Sequence, residues 1–200
     1  MLKEKISYAK SEESSITEIC FKNETIAEFD ASKIDFEFVH FIKCRFVTCN
    51  FKGTSFYNST FENCDFSNCI FANSYFKNTN IIDCKADGSD FNKTVFKEVQ
   101  IDNSSFQYAN CVNTMWENCT INNCNFKESF MSEVKFKKIT LNKVDLTKVD
   151  FFKTLLKGID LSDCTIVGIM VSDAFTELRG AKVDMMQAIA IAQLLGVQVV

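Results

Sequence analysis

The sequence predicts an all-β solenoid that ends in an α-helix, and three observations lead to this prediction. Every fifth residue from Ile16 to Val171 is apolar, which makes 32 positions without an exception. At a hydrophobic content of 46%, independent draws would give such a run with a probability of roughly 10⁻¹¹. Small side chains precede these positions, and Asn or Gly follow them, at fixed distances. After Val171 the five-residue pattern stops and the signals of a helix begin.

Residues 1–15 precede the repeat, and we expect them to cap the first coil or to form a flexible tail. The segment Met1-Leu2-Lys3-Glu4-Lys5 lacks the apolar core of a signal peptide. No stretch of the chain approaches the 18 uninterrupted apolar residues of a membrane-spanning helix. These features predict a cytoplasmic protein with reduced thiols and no membrane contact.

The apolar fifth residues are mostly phenylalanine, of which the chain has 21. We expect each of them to point inward and to stack on its counterpart in the next coil. Burial of one such side chain contributes about 1.5–3 kcal/mol before conformational entropy is subtracted. The predicted core includes Phe41, Phe46, Phe51, Phe56, Phe61, Phe66, Phe71 and Phe76, with Trp116 as a wider layer.

The residues around each apolar position predict a corner in every quintet. Two residues before it stand small or β-branched groups such as Cys44 and Thr54, and two residues after it stand Gly53, Asn58 or Asn63. Asn and Gly tolerate a positive φ, so a tight turn is expected there. The chain therefore bends, points one large group inward and bends again.

The quintet Cys64-Asp65-Phe66-Ser67-Asn68 has the order small, polar, apolar, polar, polar, and in this respect residues 16–175 resemble the pentapeptide-repeat family. Members of that family form a right-handed quadrilateral β-helix with four quintets in each coil. The resemblance thus implies about eight coils, stacked at about 4.8 Å into a rod about 38 Å long.

Residues 176–200 are predicted to form a C-terminal α-helical cap and dimerisation helix. Asp184 and Gln187 make an Asp-x-x-Gln capping box, and Gly196 stands where a helix C-cap belongs. The helix between them is apolar on nearly every side, so two of its sides must be buried against other surfaces. We expect one side to close the last coil and the other to meet a second copy in a two-fold homodimer; the alternative is a monomeric cap with a loose tail. The predicted dimer interface comprises Met185, Met186, Ile189, Ala190, Leu194, Leu195, Val197 and Val199.

The same segment narrows the resemblance. The Leu-x-Gly turn at Leu178, the Asp184 and Gln187-Ala188 elements, and the closing Leu-Gly with alternating valines are similar to the C-terminus of Qnr-type quinolone-resistance proteins. This implies a dimeric rod that mimics double-stranded DNA, binds DNA gyrase or topoisomerase IV and counters fluoroquinolones. Many Qnr proteins carry projecting loops between repeats. Here the frame is unbroken from Ile16 to Val171, as in the loopless members.

The charges are unevenly distributed along a mildly acidic chain, whose net charge is −4. Such a balance disfavours direct nucleic-acid binding. Residues 12–37 carry a net charge of −6 and residues 158–200 one of −3, whereas residues 127–157 carry +4. The candidate acids for facing a topoisomerase are Asp160, Asp163, Asp173 and Glu177. The basic segment holds a lysine ring, in which one corner position repeats in four quintets: Lys138, Lys143, Lys148 and Lys153. We interpret this ring as ion pairing between coils and as a contribution to solubility.

Two outward rows of apolar residues suggest an alternative function, a protein–protein interaction scaffold with a non-topoisomerase partner. Residues twenty apart share a face, which gives one row of Tyr75, Val95 and Met115. A second face carries Ile70, Phe130, Phe152 and Met170. The competing interpretation is a stacking of side chains that only stabilises neighbouring coils.

No catalytic, metal or cofactor site is predicted, and we do not expect an enzyme. Eight of the ten cysteines stand two residues before an apolar fifth position. A spacing of five aims them all alike, which favours small-group packing over tetrahedral metal ligation. A single histidine removes most acid–base chemistry.

Overall fold

The computed structural model describes residues 1–199 and places a parallel β-solenoid between two helices. Helix α1 spans Leu2–Ser11, a 3-10 turn spans Thr176–Leu178 and helix α2 spans Met185–Leu194. The strands are β1 Ile16–Thr17, β2 Cys20–Lys22, β3 Thr25–Ala27, β4 Asp35–Glu37, β5 His40–Ile42, β6 Arg45–Val47, β7 Ser55–Tyr57, β8 Thr60–Glu62, β9 Tyr75–Lys77, β10 Asn80–Ile82, β11 Val95–Lys97, β12 Gln100–Asp102, β13 Met115–Asn122 and β14 Lys135–Asn142.

All strand pairs are parallel, and the paired residues are twenty apart. With a corner every five residues, this register defines four faces. Face 1 holds β1, β4, β7, β9 and β11; face 2 holds β2, β5, β8, β10 and β12; β13 and β14 run across the corner that joins the two. Face 3 holds β3 and β6 and then isolated bridges, and face 4 is built of bridges alone. The predicted four-sided β-helix with a helical C-terminal cap is confirmed.

The strand ladder is shorter than the eight coils expected. On face 1 it runs from Ile16 to Phe136 over six steps of twenty residues, because β14 has no strand partner beyond it. Farther on, the coils are joined by bridges on faces 3 and 4, such as Asp145 with Thr165 and Asp150 with Met170.

The core is the predicted column of aromatic side chains. All nine predicted core residues are at most 3% exposed. Along face 1 the rings stack with centroid distances of 5.2 Å between Phe36 and Phe56, 4.8 Å between Phe56 and Phe76, and 5.1 Å between Phe76 and Phe96. The Trp116 ring stacks on Phe96 at 3.9 Å. Such pairs stabilise by about 0.5–1.5 kcal/mol beyond the area they bury.

The corners have the predicted positive φ two residues after each core position. Asn58 has φ +50°, Asn63 +53° and Gly53 +67°. The same conformation occurs at charged residues, for example Glu98 at +56° and Lys138 at +55°. The corner geometry therefore constrains the backbone, and the solenoid accepts side chains there that rarely adopt a left-handed conformation.

The small residues two positions before the core have a role that packing alone did not predict. Many of them donate a hydrogen bond from the hydroxyl or thiol to the carbonyl oxygen of the core residue 23 positions earlier, whereas Ser59 and Ser104 donate within their own coil. The Ser74 hydroxyl donates to Phe51 O at 2.8 Å, the Thr94 hydroxyl to Phe71 O at 2.7 Å and the Cys64 thiol to Phe41 O at 3.3 Å. Ser, Thr and Cys are interchangeable here because each is a small donor that fits beneath a coil.

Helix α1 lies against the N-terminal coil. Its residues Leu2, Ile6 and Ala9 are at most 3% exposed and belong to the solenoid core. At its C-terminal end, the Lys10 ammonium donates to a carboxylate oxygen of Asp30 on face 4. The apolar face of the helix therefore covers the open end of the core, and this ion pair fixes its last turn.

We expect Asp30 to titrate at unusually low pH. The hydrogen bond from Lys10, with that from Ser32, lowers the pKa of Asp30 from 3.8 to about 2. Because the folded pKa is depressed, the stabilisation is complete above pH 3.8 and is lost as the pH falls through about 2. Its side chain is 58% exposed, so the free energy involved stays below about 1 kcal/mol. Carboxyl-carbon NMR titration measures this midpoint, and Lys10→Ala should return it towards 3.8. A midpoint near 3.8 in the unchanged protein would contradict the assignment.

The frame break near the C-terminus is a two-residue insertion in the last stacked segment. The bridge partner of Asp160 is Lys182, 22 residues later instead of 20. Leu178 and Val183 nevertheless pack partly buried against the core. Helix α2 then begins at the predicted capping box, in which the Gln187 amide N donates to an Asp184 carboxylate oxygen at 2.7 Å and the Asp184 amide N donates to the Gln187 side-chain oxygen at 2.9 Å.

Neither helix in residues 1–199 combines the length and the apolar character that a membrane crossing requires.

Candidate interaction surfaces

Helix α2 is anchored on one side and uncovered on the other. The Gln187 side-chain nitrogen donates to Leu161 O at 2.8 Å and to Cys164 O at 2.6 Å, which satisfies two carbonyl groups at the end of the solenoid. Ile191 packs partly buried against the core. The rest of the helix and the tail that follows it carry the eight predicted interface residues, which we call the α2 surface; Ala190 and Leu194 lie at its edge, next to Ile166 and Val167 of the solenoid. Six of them are exposed: Met185, Met186, Leu194, Leu195, Val197 and Val199. Ile189 and Ala190 are half-buried beside them.

The α2 surface is large and apolar for a single chain. Met185 is 80% exposed and Met186 is 72% exposed. Large exposed apolar side chains grouped in this way mark an interaction site. The arrangement meets the geometric requirement of the predicted dimer, which itself stays a prediction.

The structure separates the four candidate acids. Asp160 and Asp163 are both exposed; Asp160 lies on face 2 and Asp163 at the corner between faces 2 and 3. The Ser162 hydroxyl and amide donate to Asp160, and these bonds, with the nearby Lys182, hold the pKa of Asp160 below its usual value. Asp173 is exposed too, but it lies half a coil away at the corner between faces 4 and 1. The acids therefore form one pair and one isolated group.

The structure corrects the prediction that Glu177 faces a topoisomerase, because this side chain is buried. It is 1% exposed. The Lys153 amide donates to Glu177 Oε1 at 2.9 Å and the Ser172 hydroxyl donates to Oε2 at 2.8 Å. Burial by itself would raise the pKa of Glu177, but these hydrogen bonds favour the carboxylate and leave the pKa below its usual value. The prediction that Glu177 faces a partner is wrong; it fastens the 3-10 turn to the last coil.

The lysine ring surrounds the coil that contains β14. Lys148 lies 3.7 Å from Glu128 and Lys153 lies 3.6 Å from Glu133, in each case twenty residues earlier in the column. This agrees with the interpretation of ion pairing between coils for two of the four residues. Lys138 and Lys143 form no ion pair with any group of residues 1–199.

The two outward apolar rows are present as the register predicts. Tyr75, Val95 and Met115 are direct neighbours on face 1. On face 4, Ile70, Phe130 and Met170 share one column with Asp and Asn residues between them, and Phe152 lies on the same face. Phe130 is 48% exposed and Met170 49%. The face 1 row is continuous, whereas polar residues interrupt the face 4 row.

The cysteines are structural in this fold. Nine of the ten are buried and all ten are free thiols. Burial raises the pKa of Cys111 to about 12 and the pKa of Cys119 and of Cys124 to about 11, so little thiolate is present at neutral pH. Within residues 1–199, no three His, Cys, Asp or Glu side chains are placed to hold a metal ion.

Comparison with known families agrees with this geometry. A profile described as pentapeptide repeats (8 copies) matches residues 32–68, and one described as a pentapeptide repeat region matches residues 54–131. The chain belongs to the pentapeptide-repeat family. No curated protein matches the sequence as a relative.

Three solved structures were compared with the chain. A trypsin-treated variant of QnrB1, a plasmid-mediated fluoroquinolone resistance protein, superimposes with a TM-score of 0.53 at 20% sequence identity, over 93% of this chain and 99% of that chain. Full-length QnrB1 gives a TM-score of 0.47 at 17% identity over 92% and 100%. HetL, a pentapeptide repeat protein involved in heterocyst differentiation regulation from the cyanobacterium Nostoc sp., gives 0.25 at 7% identity over 91% and 94%. At these identities the first match shows a shared fold.

Proposed function

We propose that this protein is a homodimeric, DNA-mimicking inhibitor that binds DNA gyrase or topoisomerase IV and can counter fluoroquinolones. The observation that carries the proposal is the C-terminal end of the solenoid, where an uncovered apolar helix lies beside exposed acids. QnrB1, which shares the fold, is a fluoroquinolone resistance protein, and the C-terminal motif resembles that of Qnr-type proteins.

The α2 surface supports the dimer. A two-fold contact uses the same patch on both copies, so one uncovered face is enough for closure. Joining two chains through α2 places the pair Asp160 and Asp163 of each copy near the middle of a long rod.

Charge supports mimicry only as a local property. Duplex DNA carries one negative charge per about 1.7 Å of axis, and a net charge of −4 per chain falls far below that density. The acidic surface that meets the enzyme is therefore confined to a part of the rod. Of the four predicted acids, the exposed pair Asp160 and Asp163 is the best candidate.

Supercoiling assays test this proposal. We expect micromolar protein to inhibit gyrase or topoisomerase IV, and the double variant Asp160→Asn, Asp163→Asn to require about tenfold more protein, since the lost charges face the enzyme. The matched control is Glu62→Gln, Asp83→Asn, which removes two exposed acids from the same face and corner several coils away. Assays with and without ciprofloxacin separate inhibition of the enzyme from protection against the drug. Neither inhibition nor protection at micromolar concentration would refute topoisomerase binding.

An interaction scaffold with a non-topoisomerase partner is the second candidate, and the continuous face 1 row favours it. If the protein is such a scaffold, Met115→Lys should abolish binding to the partner, and the Asp160 and Asp163 substitutions should leave that binding unchanged. The topoisomerase function predicts the reverse.

A further inference from the structure

The solenoid is open on two of its four faces between β14 and the following segment, residues 155–163. In earlier coils the corner residue donates its amide to the next coil, as Glu98 does to Glu117 O at 2.8 Å and Asn123 to Asn142 O at 2.9 Å. The equivalent bonds from Lys138 and Lys143 are not formed, although both residues and their would-be acceptors lie in the described part of the chain.

The break is confined to faces 1 and 2. On faces 3 and 4 the same two coils remain bonded, with Lys148 N to Val167 O at 2.8 Å and Phe151 N to Met170 O at 2.8 Å. The segment 155–163 is held instead from its other side, where Leu156 N donates to Glu177 O at 2.9 Å. The result is a wedge-shaped opening, hinged on faces 3 and 4, which we call the β14 groove.

The β14 groove exposes parts of the core that are closed elsewhere. Phe136 and Ile139 are only partly buried, whereas their counterparts Trp116 and Cys119 one coil earlier are buried. On face 1 the groove holds a cavity of about 560 Å³ lined in part by Val134, Lys135, Phe136 and Leu155. On face 2 it continues as a cavity of about 320 Å³ between Ile139 and Asp160.

The groove presents an unpaired strand edge. Strand β14 is eight residues long, and the regular pattern aims the amides of Lys138 and Lys143 into the opening. The same pattern aims the carbonyl groups of Val134 and Ile139 into it, because Met115 and Lys135 bond to the equivalent carbonyls of Thr94 and Thr114 in earlier coils. Alternating donors and acceptors along an exposed edge form the template for another extended chain.

The charge of the groove selects the occupant. On face 1 the groove is lined by Lys135 and Lys153 with one acid, Glu133, and Lys138 follows at the next corner, whereas on face 2 it is lined by Asp160 and Asp163. Lys135 and Lys138 form no ion pair among residues 1–199, so the face 1 part of the groove favours an acidic occupant. We propose that the β14 groove binds an extended acidic peptide segment of a partner protein by strand addition to β14. Apolar side chains of the peptide fill the space over Phe136 and Leu155, and its carboxylates meet the lysines on face 1.

Hydrogen exchange with a defined probe tests both the opening and its occupant. The probe is a fluorescein-labelled octapeptide of alternating glutamate and valine. Without the peptide, we expect the amides of Lys138 and Lys143 to exchange about 100-fold faster than those of Glu98 and Asn103, which donate at equivalent corners. Saturating peptide should slow the first pair and leave the second pair unchanged.

Charge and backbone controls define the mode of binding. In fluorescence anisotropy, Lys135→Glu with Lys138→Glu should raise the Kd about tenfold. Lys77→Glu with Lys97→Glu, on the same face in closed coils, should leave it unchanged. A lysine–valine peptide and a glutamate–valine peptide with methylated alternate backbone nitrogens should both bind at least about tenfold more weakly.

Slow exchange at Lys138 and Lys143 in the free protein would overturn the proposal, as would binding of the probe without protection of these amides. Equal affinity for the methylated peptide, or equal binding by the Lys135 and Lys138 variant, would overturn it too. Protection that rises with protein concentration in the absence of peptide would assign the groove to a second copy instead, and the proposal would be wrong.

Discussion

Phe76→Ala is expected to lower the free energy of unfolding by about 3–5 kcal/mol, the loss found for large aromatic groups removed from a close-packed core. Phe76 is 2% exposed and stacks on Phe56 at 4.8 Å and on Phe96 at 5.1 Å. Its removal leaves a cavity in the middle of the column, and the neighbouring rings cannot fill it because the register of every coil is fixed by backbone hydrogen bonds. Guanidinium unfolding followed by far-ultraviolet circular dichroism measures the change.

Phe130→Ala is the matched control, because the same atoms are removed from a side chain that is 48% exposed on face 4. We expect its effect to stay below about 1 kcal/mol. Equal losses for the two variants would mean that the buried column does not dominate stability. Because a solenoid is stabilised by contacts between neighbouring coils, the damage at Phe76 should also spread to both adjacent coils.

The fold could be predicted from the sequence because a solenoid repeats one local solution. The five-residue period identifies both the inward residue and the corner, and the structure places Phe56 inside and Asn58 at positive φ as that period requires. The capping box at Asp184 gave the start of the last helix for the same reason: its signal is local. These features depend on residues close in sequence.

The candidate site was predicted less well, because it depends on how segments meet. Glu177 resembles its acidic neighbours in sequence, yet the two-residue insertion turns its side chain towards the amide of Lys153, and no local pattern indicates this. The opening beside β14 was missed as well. The periodic pattern continues through Leu156 and Leu161 without a change, while the hydrogen bonds between their coil and β14 are lost.

The hydrogen-bonding role of the small residues was predicted in part, better than the candidate site but less completely than the fold. Their size was read correctly from the sequence, but the donor function appears only when one coil is placed beneath another. Ser74, Thr94 and Cys64 are related by their thiol or hydroxyl donor, and the acceptor is 23 residues away. A periodicity analysis that scored donor groups as well as volume would have found this rule.

Leu194→Glu is expected to convert the protein from a dimer into a monomer, with the mass in light scattering falling from about twice 22.8 kDa to 22.8 kDa. Leu194 lies in the last turn of α2 and is 43% exposed in one chain. In a two-fold contact each substitution acts twice, so two carboxylates would be buried together in an apolar interface without partners. Leu194 lies at the edge of the anchoring side, but folding of each chain should survive, because the hydrogen bonds of Gln187 and the packing of Ile191 hold α2 without it.

Phe38→Glu is the control for this variant. It places the same charge on an exposed apolar position, 51% accessible at a corner near the N-terminus, where the preceding coil already carries Glu18 at positive φ. We expect this variant to keep the dimer mass. A monomeric mass for the unchanged protein at micromolar concentration would refute the dimer, and it would also leave the α2 surface free for a different partner. If Leu194→Glu keeps the dimer mass, the contact between copies lies elsewhere on the rod, and Asp160 and Asp163 would then no longer lie near its centre.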